Sequence, residues 1–473
     1  MKGEPAIGAA VYEETCRLWL AGRAFDYDQR GMFENMYRNM TEQMLSFISA
    51  SPTAFHAVQN IADQLEEAGA TRLLESQCWD LVLGDCYYVT RNDSSIIAFR
   101  VGTELEDYGF TIAASHSDSP MFKLKEKAEL DVRDKYTRLN TEGYGGMICS
   151  SWLDRPLSLA GRVLLDTPDG VETRLVNVDR DLLLIPNLAI HMDRQVNDGH
   201  AYNKQVDMLP LFCGEAGETD GVKSIVAETL HVDLEQILDM ELFVYNRMKP
   251  TIWGAYEEFI SAPRLDDLQC AYASLEGFLR GHNENMISVY ACFDNEEVGS
   301  GTKQGAASTF LADVLTRVNQ ALGKSEEDYH RALASSFLLS CDNAHAVHPN
   351  FTQKTDDTNC ACMNKGIVIK SNASQKYISD AVSIAIFRKI CAQAKVPVQV
   401  FANRSDMPGG STLGHIAMAQ VSMNAVDIGL AQLAMHSAYE TAGVKDTQYL
   451  VQATEVFYNS RIRETGAGRY EVL

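Results

Sequence analysis

The sequence predicts an α/β fold: a mostly parallel sheet flanked by helices, with a β-rich unit inserted into it. Three observations carry this. From Leu265 onward, short apolar runs of strand length alternate with longer stretches of helical periodicity. Residues from about 121 to 250 show instead alternating strand patterns and many turn signals. Acidic and histidine residues recur just after the predicted buried strands, as expected where strand ends line a crevice. At 473 residues the chain exceeds one ordinary core and should form two compact units. The expected organisation is 1–31 as an N-terminal extension ahead of a second start-like cluster at Met32, 32–120 plus 251–473 as the α/β unit, and 121–250 as the insert.

Taken in order, Met36 to Gly69 is helical, with Phe47, Ile48, Phe55, Val58, Ile61 and Leu65 mostly on one face and a break with a new N-cap at Ser51-Pro52-Thr53. Cys86–Thr90 and Ser95–Arg100 read as a hairpin turning at Arg91-Asn92-Asp93. Phe110–Ala114 is a short buried strand closed by Pro120, which leaves His116 and Asp118 at its carboxyl end. In the insert, Ser158–Leu165 alternates as a strand should, and little helix is expected before Val222–Leu230. Helices are then expected over Cys270–Leu279, Ala306–Leu322 and Ser379–Ala392, and strands over Met286–Phe293, Ser336–Cys341, Val396–Phe401 and Ala425–Leu430. A last helix after Ala431 would hold His436 within an apolar stretch.

The net charge of −23 repels phosphate backbones and anionic lipid, so neither nucleic acid nor membrane is expected as a partner. No uncharged apolar segment is long enough to span a bilayer. An acidic substrate stays open, because a few cations inside a pocket override the mean field at contact range. Eleven cysteines without CxxC spacing, and no signal-peptide pattern, suit free thiols and a cytoplasmic protein.

The chemistry concentrates at strand ends. His116 and Asp118 follow 110–114, Glu296 and Glu297 follow 286–293, Asp342 follows 336–341, and His436 comes shortly after 425–430. Asp266 and Asp267 sit in a loop before a helix. Two imidazoles with several carboxylates and no thiolate cluster suit two borderline or oxygen-loving divalent ions, zinc or manganese. A carboxylate shared by ions roughly 3.5–4 Å apart can hold a water and lower its pKa, while an unligated carboxylate takes the proton. Glu296 and Glu297 can divide these tasks, because adjacent side chains at a strand end point in different directions. Each residue also has a plainer reading. Glu296 and Glu297 suit a helix first turn, Asp266 and Asp342 suit N-caps, and His116 and His436 suit hydrogen-bonded structural positions. The joint occurrence at successive strand ends is what points to metal.

Six motifs in order extend this reading: Ala114–Pro120, Ile185–His191, Asp294–Ser300, Asp342–Asn350, Gly366–Lys370 and Gln432–Ser437. On these motifs the chain resembles the M18 family of metallo-aminopeptidases, typified by aspartyl aminopeptidase, from about Phe47 to the last residues. The resemblance implies a zinc-exopeptidase type of α/β fold whose inserted β-rich unit mediates dimerisation, and a homo-oligomer, a dodecamer built from dimers. It implies two divalent ions, Zn2+ first, with Mn2+ or Co2+ as alternatives. His116, Asp266 and Asp342 would hold one, and Asp266, Glu297 and His436 the other, with Asp266 bridging. Glu296 matches the general base, and Asp118 the carboxylate that orients the His116 ring. The family has Asp-Asn where this chain has Asp266-Asp267, and the first position is taken as ligand.

For the substrate, the resemblance implies Lys370 beside an acidic side chain, although a lone lysine ending a strand is commonly just solvated. His345 and Ser411 join the expected substrate-binding set. Ser411 lies in the stretch Arg404–Thr412, where Gly409-Gly410 replaces the family's Cys-Gly. His191 would reach a neighbouring subunit's active site; read alone, it suits a buried strand histidine. The activity expected is release of one N-terminal residue, Asp or Glu, from peptides. Alternatives are a preference for neutral residues, hydrolysis of other amides, and a catalytically silent self-assembling shell or cargo protein.

Overall fold

The computed structural model describes residues 35–214, 221–410 and 412–473; the expected extension at 1–31 and Ser411 lie outside the described residues. Residues 35–50 form helix α1, and the chain breaks at Ser51-Pro52-Thr53 before α2 (Ala54–Glu67). The break follows from Pro52, which has no N–H to extend the first helix. Helix α2 buries Phe55, Val58, Ile61 and Leu65 on one stripe, the face its periodicity predicts. After the short β1 (Thr71–Arg72), β2 (Cys86–Arg91) and β3 (Ser95–Arg100) form the expected hairpin. Asn92 and Asp93 turn it with φ of 59° and 51°, a region their short polar side chains tolerate. The next strand, β4 (Phe110–His116), is buried along its whole length, as a central parallel strand must be.

The insert follows as β5 (Met121–Val132), β6 (Tyr136–Tyr144), β7 (Leu157–Thr167), β8 (Gly170–Asn177), β9 (Leu211–Cys213), α3 (Gly221–Leu230) and β10 (Ile237–Asn246). Its six strands pair in the order β8-β7-β10-β5-β6-β9, all antiparallel. Phe122, Leu139, Trp152, Val163 and Val244 give it a core of its own. The chain then runs through β11 (Thr251–Trp253), β12 (Phe259–Ala262), α4 (Leu265–Arg280), β13 (Ile287–Phe293), α5 (Phe310–Ala321) and α6 (Glu326–Ala334). It continues with β14 (Phe337–Cys341), β15 (Ala344–His345), β16 (Ile367–Lys370), α7 (Ala381–Ala394), β17 (Val398–Phe401), α8 (Leu413–Ala417) and β18 (Asn424–Gly429). The last elements are β19 (Ala431–Leu433), β20 (Glu440–Gly443), α9 (Asp446–Asn459) and the hairpin β21 (Ile462–Gly466) and β22 (Arg469–Val472).

The main sheet has the order β1-β2-β3-β13-β4-β14-β18-β16-β17. Its centre, β13-β4-β14-β18, is parallel, while β3 and β16 join it antiparallel, so the sheet is parallel where the site lies and mixed at its flanks. Helices α2, α4, α7 and α9 pack one face around Phe278, Tyr290, Phe387 and Phe457. Helices α5, α6 and α8 cover the other around Phe99, Phe110, Phe310 and Leu413. A smaller sheet, β11-β12-β20-β19-β15, lies beside the carboxyl ends of the main strands.

One sequence expectation is corrected here. No helix follows Ala431 directly. Gln432 and Leu433 pair with Ala442 and Thr441, and Ala434 and His436 adopt φ of 57° and 65°, which end any helix. His436 therefore sits in a strand-to-strand loop, and α9 starts only at Asp446. Gly429, at the end of β18, allows the close approach that seats Asp342, since a Cβ there would lie 1.8 Å from the Asp342 carbonyl oxygen. Among the described residues, no helix is long and apolar enough to cross a membrane.

Candidate metal centre

Parallel register places the chemistry. His116 ends β4 opposite Phe293 of β13, so Glu296 and Glu297 emerge beside it. Strand β14 flanks β4 on the other side, and Asp342 follows its last residue. Asp266 and Asp267 open α4 with non-helical backbone (φ −82°, ψ 110° and φ −115°, ψ 18°), which turns their side chains from the helix toward these strand ends. The β19–β20 loop brings His436 to the fourth side.

The geometry gathers the predicted residues. His116 Nε2 lies 3.4 Å from Asp266 Oδ1, and His436 Nε2 lies 3.5 Å from Asp266 Oδ2 and 3.3 Å from Glu297 Oε2. Each oxygen of Asp266 thus faces a different imidazole, which is the arrangement a shared carboxylate needs. Potential ligand atoms of His116, Asp266, Asp267 and Asp342 fall within 4.8 Å of one another, as do those of Asp266, Glu297 and His436. Glu296 lines the open cleft of about 690 Å³ above the cluster, together with His116, Asp266, Asp342, His345, Lys370, Tyr377, Phe401 and His436. The Glu297 side chain is 3% exposed and points into the cluster instead.

Backbone and second partners fix these side chains. Each Nδ1 meets a backbone carbonyl, which can only accept, so Nδ1–H of His116 donates to Asp118 O (3.1 Å) and Nδ1–H of His436 to Gly146 O (2.5 Å). Both Nε2 lone pairs are thereby left facing the carboxylates. Asp118 accepts the amides of Glu296 (3.1 Å) and Glu297 (3.2 Å) and the Tyr144 hydroxyl (2.6 Å). Gly145, at φ +75°, passes so close that a Cβ would stand 3.1 Å from Glu297 Cβ. The insert therefore forms one wall of the centre.

Lys370 is 3% exposed; its Nζ donates to Asn343 O at 2.8 Å and lies 3.7 Å from Asp342 Oδ2. His345 is exposed on the cleft wall. His191 does not join the site within this chain. It lies on an exposed turn of the insert, not in a buried strand, which overturns that plainer reading. Ser411 is not described, but its neighbours Gly410 and Thr412 line the cleft. Three residues carried no clear sequence signal. Asp267 is fully buried, with its Oδ2 accepting from the His116 amide at 3.2 Å, although Asp266 alone was expected to count. Tyr144 and Glu440 lie outside any expected set.

The donor set fits divalent cations. Asp266 Oδ1, Asp267 Oδ1 and Glu297 Oε1 are buried with no hydrogen-bond partner, a costly state for carboxylates. Burial pushes Glu296 up to about 7, aided by Asp342, Asp118 and Asp266 against the opposing His116. Burial likewise drives Asp267 and Glu297 well above the carboxylate range, with neighbouring carboxylates adding to it against the opposing His116. Asp266 goes the other way: burial raises it, but the His116 and His436 rings facing its oxygens, once protonated, outweigh burial and hold it low. Without cations the cluster must take up protons, so ions and protons compete for it. The sign follows. Glu296, raised in the fold, binds a proton that the unfolded chain has released, so its contribution to the chelated protein is lost as pH rises from about 4.5 to about 7, and Asp267 and Glu297 act in the same direction. Thermal melts from pH 5 to 8 should show the gap between metal-loaded and chelated protein widening with pH. A gap that stays constant would contradict the reading.

The model of the family described as aminopeptidase I zinc metalloprotease (M18) matches residues 47–458. A probable M18 family aminopeptidase 2 of Clostridium novyi is 46% identical over 423 residues, which is 88% of this chain and 98% of that protein. Among solved structures, the cryo-EM structure of the Ape4 and Nbr1 complex superposes with a TM-score of 0.86 at 36% identity, covering 90% of this chain and 86% of that one. The S. cerevesiae mApe1 dodecamer structure superposes at 0.79 with 26% identity, covering 89% and 97%. With its strand-end cluster able to hold two metal ions, the chain belongs to the M18 family and is a metal-dependent aminopeptidase.

Proposed function

We propose that this enzyme releases a single N-terminal Asp or Glu from peptides, with Glu296 as general base. The observation that carries the specificity is Lys370, a buried cation on the cleft wall. Burial works against its charge, but Asp342 and other neighbours outweigh that and raise its pKa. It stays an ammonium with three donors, of which Asn343 O takes one, leaving capacity for a carboxylate. Tyr377 and Phe401 line the same wall beside Lys370.

Our reading gives His116, Asp266 and Asp342 to one ion and Asp266, Glu297 and His436 to the other, zinc before manganese or cobalt. Such ions supply Lewis acidity and a more acidic water. Glu296, the member of the pair that faces the cleft, accepts the proton of the attacking water and returns it to the leaving amine. Its backbone is fixed by Asp118, so the carboxylate is aimed before substrate arrives.

A second reading, preference for neutral residues, draws on Asp342, which sits 3.7 Å from Lys370 and offsets part of its charge. A panel of aspartyl, glutamyl, leucyl and N-acetylated substrates separates the readings. Wild type should favour aspartyl and glutamyl and reject N-acetylated substrates. Lys370→Ala should lose acidic substrates by about 10-fold or more relative to leucyl, and Glu296→Gln should lose all turnover by at least about 100-fold with metal content intact. Equal losses for Lys370→Ala on all substrates would favour the neutral reading.

We also propose a cytoplasmic dodecamer built from dimers, with His191 reaching a neighbouring active site. Support comes from the dodecameric relative and from Leu188, Ile190 and Met192, exposed around His191 on the insert. Light scattering should give a mass near twelve chains; a stable monomer would refute it.

A further inference from the structure

Glu440 opens β20, four residues past His436, and is 1% exposed. Both of its carboxylate oxygens are occupied by backbone amides. Oε2 accepts from the Asp266 amide at 3.0 Å, and Oε1 accepts from the His436 amide at 2.7 Å. Those two amides belong to residues whose side chains meet at 3.5 Å inside the cluster.

Neither amide sits on regular backbone. Asp266 is non-helical in the first turn of α4, and His436 holds a left-handed φ of 65°, which is uncommon for a residue with a Cβ. Glu440 ties both segments together through these two bonds, across a sequence separation of 174 residues to Asp266. An ionised carboxylate only accepts, so it matches two converging N–H groups; a carboxamide would turn a donor toward one of them. Asp118 grips the amides of Glu296 and Glu297 in the same way on the other side of the cluster. The centre is thus held between two carboxylates that bind backbone.

We propose that Glu440 is a positioning residue: by holding the Asp266 and His436 amides it sets the spacing of these two side chains, and so the affinity for the ion they share, without touching ion or substrate. This rests on the two-ion reading above.

The test titrates metal-stripped wild type, Glu440→Gln and His436→Ala with zinc against a chromophoric chelator, with activity read in parallel. Wild type should bind two ions, and His436→Ala identifies the one that depends on the β19–β20 loop. Glu440→Gln should weaken that same ion by about 10–100-fold and the other, which shares only Asp266 among the held residues, by at least about threefold less. Its lost activity should return with excess zinc, at unchanged KM. Unchanged affinity for both ions overturns the proposal, and so does equal weakening of both, which would mark a merely structural role. If Glu440→Gln does not fold, Glu440→Asp, which keeps the charge but not the reach, should give the same selective loss at smaller size; no loss or an equal loss overturns it. Fewer than two ions on wild type would refute the two-ion reading itself, and is seen before any variant is compared.

Discussion

Repulsion among buried carboxylates is the constraint on which the rest of this structure depends. Asp118, Asp266, Asp267, Asp342 and Glu440 are all nearly inaccessible, with Glu296 and Glu297 beside them. Two like charges at about 4 Å cost on the order of 4 kcal/mol at the effective dielectric of a protein site. The sheet, helices and insert hold these groups together although, without cations, they favour separation or protonation. The energy withheld there is what makes the site take up divalent ions, and ion binding in turn contributes to folding stability.

The fold meets this constraint by spreading the attachment points. The central parallel strands deliver His116, Glu296, Glu297 and Asp342 from adjacent ends, so their spacing follows from sheet register. The irregular opening of α4 and the β19–β20 loop deliver Asp266 and His436, and backbone-binding carboxylates hold these less regular segments. The insert has a stake as well. The Gly146 carbonyl fixes the His436 ring, Ile148 N donates to His436 O at 3.0 Å, and Ser151 Oγ accepts from Ala438 N at 2.8 Å. A segment read from sequence as part of an oligomerisation unit therefore fixes the His436 side of the cluster directly.

How much of this was legible follows from how local each signal is. Short apolar runs alternating with helical patterns located β4, β13, β14 and β18, and the residues just past them could be picked because strand ends converge in such sheets. The same logic failed at His436, where apolar character suggested a helix, because the two left-handed residues and the pairing of β19 with β20 leave no local periodic trace. Asp267 was set aside for Asp266, since which of two adjacent acids faces a site depends on backbone angles that a sequence does not display. Glu440 was invisible for a similar reason: its partners are amides far along the chain, and amides have no identity in a sequence. His191 lies on an exposed turn, although its apolar neighbours in sequence suit a buried strand.

The central claim is that the crowded carboxylates are arranged around two ions with Asp266 between them. Anomalous diffraction at the zinc edge from crystals of the metal-loaded protein tests this directly. The account predicts two peaks on either side of the Asp266 carboxylate, each about 2.0–2.2 Å from one of its oxygens, with one near His116 and the other near His436. A single peak, or two ions that do not share Asp266, would contradict it.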